Sequence, residues 1–193
     1  MPSRSDDPLD AALTAATARI RDAILAVQAS NPVVVIDGRS GAGKSSLAAR
    51  VMRAWPLRTP AQLIALDSIY PGWTGLEEGA EIARESVLVP HGRGLLGTWH
   101  RWDWEREQTA EAHAVDPALG LVLEGCGALT PASARLADVT VWVDGPHASR
   151  RTRALERDGD GFRPFWDMWA AQEDAHMAAH DPQSLAGISI RTP

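Results

Sequence analysis

Residues 33–46 read Val-Val-Val-Ile-Asp-Gly-Arg-Ser-Gly-Ala-Gly-Lys-Ser-Ser, and this stretch decides the fold. Its first four residues form a short β-branched run, which predicts a strand buried on both faces. The segment from Gly38 to Ser45 then matches the pattern G-x-x-x-x-G-K-[ST] in full. From Lys44 onward the apolar residues recur at helical spacing, so the glycine-rich turn lies between a strand and a helix, as a phosphate-binding loop requires.

The glycine-rich turn is a predicted nucleotide site. Its glycines let backbone N–H groups point inward at phosphate oxygens, and the following helix presents its positive N-terminal end to them. Lys44 would reach the β- and γ-phosphates of ATP, and the Ser45 hydroxyl would coordinate Mg²⁺. The sequence therefore predicts ATP and Mg²⁺ as ligands, with the nucleotide held by Gly38, Arg39, Ser40, Gly41, Ala42, Gly43, Lys44, Ser45 and Ser46.

Composition restricts the class of protein. The chain has 193 residues and 45% hydrophobic content, which predicts one domain over residues 1–193. A net charge of −6 offers no electrostatic footprint for a nucleic acid polymer or an anionic membrane, and no run of about 20 apolar residues predicts a membrane span. A single cysteine and the lack of a signal-type N-terminus indicate a cytoplasmic protein. We therefore expect a small-molecule partner, while the oligomeric state stays open.

Strands and helices alternate along the rest of the chain. An N-terminal helix within residues 1–31 begins at an Asp7 cap and ends near Asn31-Pro32. Alternation predicts a three-layer α/β fold, in which helices cover both faces of a mostly parallel sheet. The predicted strands are 33–36, 62–66, 119–123, 139–143 and 188–190, and the further predicted helices are 44–55, 76–89, 146–157 and 162–180.

Two carboxylates close predicted strands. Asp67 ends the second strand and Glu124 ends the third, and the carboxyl ends of parallel strands border one crevice. A carboxylate there accepts the proton of an attacking hydroxyl or holds the metal's water shell. Two other interpretations stay open, since Asp67 would also cap a turn and Glu124 would also pair with an arginine.

A basic stripe follows the fourth strand. Arg150, Arg153 and Arg157 lie three and four residues apart, hence on one face of a helix. Because a glycine-containing segment at 158–161 follows, residues 150–163 are predicted to form a mobile lid that neutralises charge on a transferring phosphoryl group. An ordinary solvated basic face is the alternative.

The order of these motifs resembles the uridine kinase branch of the P-loop kinases, close to uridine–cytidine kinase, with pantothenate kinase and phosphoribulokinase as relatives. The resemblance covers Val33 to Ile190. Asp67-Ser68-Ile69-Tyr70 is similar to the family's Asp-Ser-Phe-Tyr, Trp102-Asp103-Trp104 to its Tyr-Asp-Phe, and Glu124-Gly125 to its Glu-Gly. This resemblance implies a five-stranded sheet of order 2-3-1-4-5 and ATP-dependent phosphorylation of a substrate hydroxyl.

The resemblance also implies residue roles. The aspartate of the first motif is the catalytic base near Mg²⁺, and the aromatic residues of the second motif contact a nucleobase. The implied catalytic residues are Asp67, Lys44, Arg153 and Arg157. The implied metal ligands are Ser45, Glu124 and Asp67. The implied substrate-binding residues are Tyr70, Trp102, Asp103, Trp104 and Arg150.

The chain departs from the family in the region that reads the substrate. Between Tyr70 and Trp99 it lacks the family's Asn-Phe-Asp-His-Pro-Asp block, which supplies the aspartate that grips the ribose, and Glu107 replaces a base-reading histidine. Two alternatives to a nucleoside-type kinase remain. One is a nucleoside-monophosphate kinase, which needs acceptor-side arginines, and the other is an ATP-binding accessory protein without transferase activity. The candidate acceptor-side arginines are Arg84, Arg93, Arg101 and Arg106.

Overall fold

The computed structural model describes residues 7–193, so the first six residues of the predicted 1–31 segment lie outside the described part of the chain. Five strands form one sheet in which all neighbouring strands are parallel. Its spatial order is β2-β5-β1-β6-β7. The strands are β1 (Val33–Gly38), β2 (Ala61–Ala65), β5 (Gly120–Glu124), β6 (Val139–Asp144) and β7 (Ile188–Arg191).

Counted along the chain within this sheet alone, the strand order is 2-3-1-4-5, so the predicted topology is confirmed. β1 lies in the centre and is buried along its whole length, as its β-branched run predicts. The register pairs Ile36 with Glu124, so the carboxyl ends of β1 and β5 meet at one edge of the sheet.

Helices cover both faces of the sheet. On one face, α1 and α2 pack on alternate residues of β1, with Ile20 and Leu47 among the fully buried side chains. The opposite face carries the second core, which includes Leu76 and Trp169. The helices are α1 (Pro8–Ala26), α2 (Lys44–Arg53), α3 (Leu76–Ala83), α4 (Val89–Gly92), α5 (Pro131–Ala134), α6 (His147–Asp158), α7 (Trp166–His180) and α8 (Pro182–Leu185).

Local signals explain the helix ends. The Asp7 side chain accepts a hydrogen bond from the Leu9 amide at 2.9 Å, so the predicted N-cap is confirmed. The predicted helix at 76–89 is interrupted by a π-helical turn, Arg84–Leu88, which joins α3 to α4. Among residues 7–193, no helix has the length and the apolar character that a membrane span requires.

A two-stranded antiparallel hairpin lies apart from the main sheet. It consists of β3 (Gly97–Asp103) and β4 (Gln108–Val115), with a register shift between His100 and Trp102. Sequence analysis predicted neither strand of this hairpin, and the residues of β4 are mostly exposed on both faces and give no apolar alternation.

Candidate active site

The loop between β1 and α2 forms a cradle of backbone N–H groups. Gly41 and Gly43 have φ angles of +74° and +103°, in the left-handed region that favours glycine. A Cβ atom on Gly41 would lie 2.0 Å from the Arg150 carbonyl oxygen, so only glycine fits there. The cradle therefore keeps the shape of an anion-binding nest at the start of α2.

Lys44 lies at the base of this cradle. Its ammonium group donates to the Arg39 carbonyl at 3.1 Å and contacts the Cys126 sulfur at 3.2 Å. Burial opposes its charge, but Cys126 and the carboxylates of Glu124 and Glu173 hold the pKa of Lys44 above its ordinary value. The side chain is thus a buried, protonated cation at the phosphate cradle.

A pocket of about 540 Å³ opens beside the cradle at the carboxyl ends of β1, β2 and β5. It gathers segments that are far apart in the sequence: the phosphate loop, the end of β2, the end of β5 and the region after α6. The residues that line it are Ser40, Gly41, Gly43, Lys44, Ser45, Ser46, Asp67, Tyr70, Trp73, Trp104, Glu105, Glu124, Cys126, Arg157, Asp158, Gly161, Phe162 and Trp169.

Asp67 and Glu124 both line this pocket. Asp67 is exposed on a short 3₁₀ turn, Leu66–Ser68, directly after β2. Glu124 is 4% exposed, and burial raises the pKa of its carboxyl, while Lys44 opposes that shift. The strand ends thus bring one accessible acid and one buried acid to the same pocket as Lys44.

The three arginines of the predicted lid have different environments. Arg157 lines the pocket and pairs with Asp158. Arg150 is buried, donates to the Ser40 carbonyl at 3.1 Å and pairs with Asp144 at 3.1 Å. Arg157 therefore faces the pocket, whereas Arg150 lies outside the pocket lining and contacts protein groups.

Arg153 is the second arginine that faces protein. It donates to the Gly41 carbonyl at 2.8 Å and to the Pro193 carbonyl at 2.7 Å, outside the pocket lining. The helical spacing correctly places Arg150 and Arg153 on one face, but that face packs on the outside of the phosphate loop. Arg150 and Arg153 thus support the phosphate loop, and their predicted approach to substrate and phosphate stays a prediction.

The predicted substrate-binding residues also separate into two groups. Tyr70 and Trp104 line the pocket, where Tyr70 donates to the Cys126 carbonyl at 2.7 Å and Trp104 donates to the Asp67 carbonyl at 2.8 Å. Trp102 lies outside the lining, and Asp103 instead accepts hydrogen bonds from the hairpin turn at Arg106. The structure thus brings Trp104 to the pocket but not Trp102 or Asp103, whose contact with substrate stays a prediction.

Asp37 is a buried residue that sequence analysis did not select. Its carboxylate accepts hydrogen bonds from the amides of Gly38, Gly127 and Leu129 at 2.6, 2.9 and 2.9 Å, and contacts His176 Nε2 at 3.1 Å. It therefore fixes the loop after β5 and helix α7 to the start of the phosphate loop. An acid that follows an apolar run was a usable signal, since a buried charge requires partners.

Glu173 of α7 is the second buried acid that was missed. Its carboxylate accepts hydrogen bonds from the Ser40 amide at 2.7 Å, the Arg39 guanidinium at 3.1 Å and the Cys126 thiol at 3.3 Å. Arg39 also pairs with Asp174 at 2.7 Å. Arg39 therefore faces α7, and neither it nor the predicted residues Gly38 and Ala42 line the pocket.

The phosphate loop, the pocket and the parallel sheet can be compared with solved structures. A protein described as a "possible uridine kinase" from Bacillus stearothermophilus matches with a TM-score of 0.67 at 17% identity, covering 92% of this chain and 98% of that one. A "putative fructose transport system kinase" from Silicibacter sp. TM1040 matches with a TM-score of 0.52 at 18% identity, with the same coverages. The YGR205w protein matches with a TM-score of 0.54 at 10% identity, covering 96% and 95%.

The chain has the fold of the P-loop kinases. At these identities the likeness concerns the fold, and neither a family model nor a curated relative matches the sequence. The P-loop kinase fold explains why the cradle, Asp67 and Glu124 share one edge of the sheet, because ligands in open α/β sheets bind outside the carboxyl ends of the strands.

The residues at this edge suit a phosphate-bound cation better than a metal cage made by protein alone. Residues 7–193 contain no cluster of three or more His, Cys, Asp and Glu side chains that would ligate a metal ion. Ser45 and Glu124 line the pocket beside the cradle, and Mg²⁺ keeps water and phosphate ligands beside one or two carboxylates. The donor set therefore fits Mg²⁺ that arrives together with a nucleotide.

Proposed function

We propose that this protein is an ATP-dependent kinase that transfers the terminal phosphoryl group of ATP to a hydroxyl group of a small molecule. The observation that carries the proposal is the shared pocket, in which the Gly41–Ser46 cradle, Lys44, Asp67 and Glu124 face the same space. The kinase descriptions of the structural neighbours support the same class of reaction. A phosphate cradle alone fits any P-loop nucleotidase, whereas an exposed acid on the acceptor side fits transfer to a hydroxyl.

Each pocket residue has a role in this reaction. Asp67 accepts the proton of the acceptor hydroxyl as its oxygen forms a bond to the γ-phosphorus and the bond to the β–γ bridging oxygen breaks. Lys44 and Arg157 offset the charge of the transferring group, as preorganised cations in a water-poor site do. Ser45 and Glu124, with Asp67 nearby, would hold Mg²⁺, which supplies charge neutralisation at the phosphates.

The remaining predicted residues support the cradle in this proposal. Arg150 and Arg153 donate hydrogen bonds to the Ser40 and Gly41 carbonyls, which fixes the backbone of the phosphate loop. The lid then reduces to the end of α6 and the segment 159–162, where Arg157 and Phe162 reach the pocket.

The acceptor side of the pocket disfavours the nucleoside-monophosphate kinase alternative. Arg84 pairs with Glu81, Arg101 with Glu111 and Arg106 with Asp103, all away from the pocket. Arg93, the fourth candidate, also lies outside the lining. Among the described residues, the cations that line the pocket are Lys44 and Arg157, and both serve the ATP phosphates in this proposal.

The test compares Asp67→Asn with the unchanged protein on a panel of alcohols, with product measured by mass spectrometry. Loss of the base should lower kcat by about 10²- to 10⁴-fold and leave the Kd for MgATP within a few fold. Asp22→Asn, an exposed acid on α1, is the matched control and should leave kcat unchanged. Normal turnover by Asp67→Asn would refute the base assignment, and ATP binding without product on any alcohol would favour the accessory protein.

A further inference from the structure

The half of the pocket that faces away from the phosphate cradle is walled by aromatic rings. Tyr70 and Trp169 are 1% and 5% exposed and meet edge to face with centroids 4.9 Å apart. Trp73, Trp104 and Phe162 complete this wall. We use the name ring wall for these five residues.

Trp73 is the centre of the ring wall. It stacks on Phe165 at 4.4 Å with an interplanar angle of 9°, and on Phe162 at 5.5 Å and 11°. Trp104 lies 4.7 Å away from it at 52°. These contacts fix the indole plane before any ligand binds, so the wall is a preformed aromatic surface. Such surfaces favour flat ligands, because aromatic pairs prefer offset-stacked or edge-to-face contacts.

Most polar atoms around the ring wall already have protein partners. The Tyr70 hydroxyl donates to the Cys126 carbonyl, the Trp104 indole donates to the Asp67 carbonyl, and the Cys126 thiol donates to Glu173. A sugar or polyol needs several free donors and acceptors, since a buried hydroxyl without a partner disfavours binding. The rings therefore suit the part of the acceptor that has few hydroxyl groups, whereas hydroxyl groups suit the side of the pocket that carries the acids.

The charges beside the ring wall also restrict the acceptor. The acidic side chains at the pocket are Asp67, Glu105, Glu124 and Asp158, and only Asp158 pairs there with a pocket arginine. An acceptor with a phosphate or carboxylate group would meet these acids without a free cation of its own. Like charges at close range disfavour binding, so the acceptor should carry no negative charge.

We propose that the acceptor is an uncharged alcohol with a flat aromatic body, in which the ring packs on the wall around Trp73 and the hydroxyl faces Asp67. This inference rests on the proposed kinase function. The γ-phosphoryl group moves to the hydroxyl oxygen, ADP leaves with the electron pair of the broken bond, and Asp67 takes the hydroxyl proton. A pocket of about 540 Å³ shared with the phosphates holds a body of one or two rings.

The experiment uses the full chain and two panels of probes at equal concentration. The aromatic panel contains benzyl alcohol, 2-phenylethanol and 3-pyridinemethanol, and the polar panel contains glycerol, fructose and ribose. Isothermal titration calorimetry measures binding of each probe, and mass spectrometry measures phosphorylated product with MgATP. Binding should be measurable for the aromatic panel, and its kcat/KM should exceed that of each polar probe by at least about tenfold.

Two variants test the wall directly. Trp73→Leu should weaken binding of the aromatic probes about 3- to 10-fold and raise KM for them without a matching loss of MgATP binding. Trp99→Leu is the matched control, because Trp99 stacks on His113 in the hairpin, outside the pocket lining. Thermal unfolding of both variants checks that each is folded.

The outcomes separate this inference from the kinase proposal. Phosphorylation of fructose, glycerol or ribose in preference to every aromatic probe keeps the kinase and overturns the inference. Aromatic probes that bind through Trp73 but yield no product in the presence of bound MgATP overturn the kinase proposal, and with it the acceptor role of the bound alcohol. No binding of any aromatic probe, or equal effects of Trp73→Leu and Trp99→Leu, also overturns the inference.

Discussion

Glu124 is both the last residue of strand β5 and a residue that lines the candidate active site. It ends a strand whose five residues are all buried, yet it is an acid beside Lys44. Burial of a carboxylate disfavours its charge, and Lys44 compensates only partly, since the pKa of Glu124 remains raised. In the protein without ligand, Lys44 therefore offsets the cost of the buried Glu124 carboxylate only partly, and a bound cation would offset more of it.

The raised pKa of Glu124 predicts a pH dependence of stability in the absence of ligands. The folded state binds this proton more tightly than the unfolded state, so the contribution of Glu124 is present below its ordinary pKa and lost as the pH rises through its folded pKa. Glu124→Gln should therefore flatten the slope of stability above pH 4.5 and raise the unfolding temperature at pH 7 relative to the native chain.

Thermal unfolding from pH 4 to pH 8, taken as the difference between the two proteins, measures this effect. The difference removes the titration of acids that both proteins share. A variant that is less stable than the native chain at pH 7 would contradict the assigned burial cost. Mg²⁺ should stabilise the nucleotide complex of the native chain and not that of Glu124→Gln.

Lys44 is the only lysine in the sequence, so no other lysine side chain can replace its charge at the cradle. Its replacement by alanine removes the buried cation at the cradle and leaves Glu124 without its compensating charge. Lys44→Ala should lower kcat by about 10²- to 10³-fold, as removal of a preorganised donor at a phosphoryl group does. Steady-state kinetics check it, and Arg50→Ala on the outer side of α2 should retain full activity.

Helix α7 determines more of the site than its sequence suggests. Glu173 holds Ser40 and Arg39, while His176, one turn later, contacts Asp37. From the same helix, the Gln172 side chain donates to the Trp73 carbonyl at 2.8 Å. A single element therefore fixes both the phosphate loop and the loop that carries Trp73.

Glu173→Gln tests this element. The glutamine amide oxygen can still accept the hydrogen bond from the Ser40 amide, but the substitution removes the charge that pairs with Arg39. KM for MgATP should therefore rise about tenfold, and the free energy of unfolding should fall by about 1–3 kcal/mol. Asp174→Asn is the control, since the exposed Asp174 pairs with the same arginine and an exposed pair contributes about 0–1 kcal/mol. Equal effects of the two variants, by kinetics and denaturant unfolding, would contradict the role given to Glu173.

How well the sequence predicts a feature depends on how far apart along the chain the interacting residues lie. The strand, phosphate loop and helix at 33–53 were predictable, since their signals are local. Glu173 and His176 were not, because their partners Ser40 and Asp37 lie 133 and 139 residues away along the chain. For the same reason, the spacing of Arg150 and Arg153 gave the correct face but not the surface that it packs on.

The whole molecule assembles its pocket from four distant segments, and this predicts a large effect of ligand on unfolding. MgATP would contact the cradle, the strand ends and Arg157 together, so its binding opposes separation of all four. At 100 times its Kd, MgATP should raise the free energy of unfolding by about 2.7 kcal/mol. Differential scanning fluorimetry measures the shift, and the Lys44→Ala protein should show a much smaller one.

The attachment of α6 to the phosphate loop has a kinetic consequence. Arg150 and Arg153 attach the first half of α6 to the carbonyls of Ser40 and Gly41 by hydrogen bonds. A hinge is therefore available only beyond Arg153, where Gly159 and Gly161 follow. Movement of the segment beyond this hinge separates Phe162 from Trp73 and opens the acceptor side of the pocket first. Turnover should therefore be ordered, with the phosphorylated alcohol departing before ADP, and product-inhibition patterns would reveal that order as competition between ADP and ATP alone.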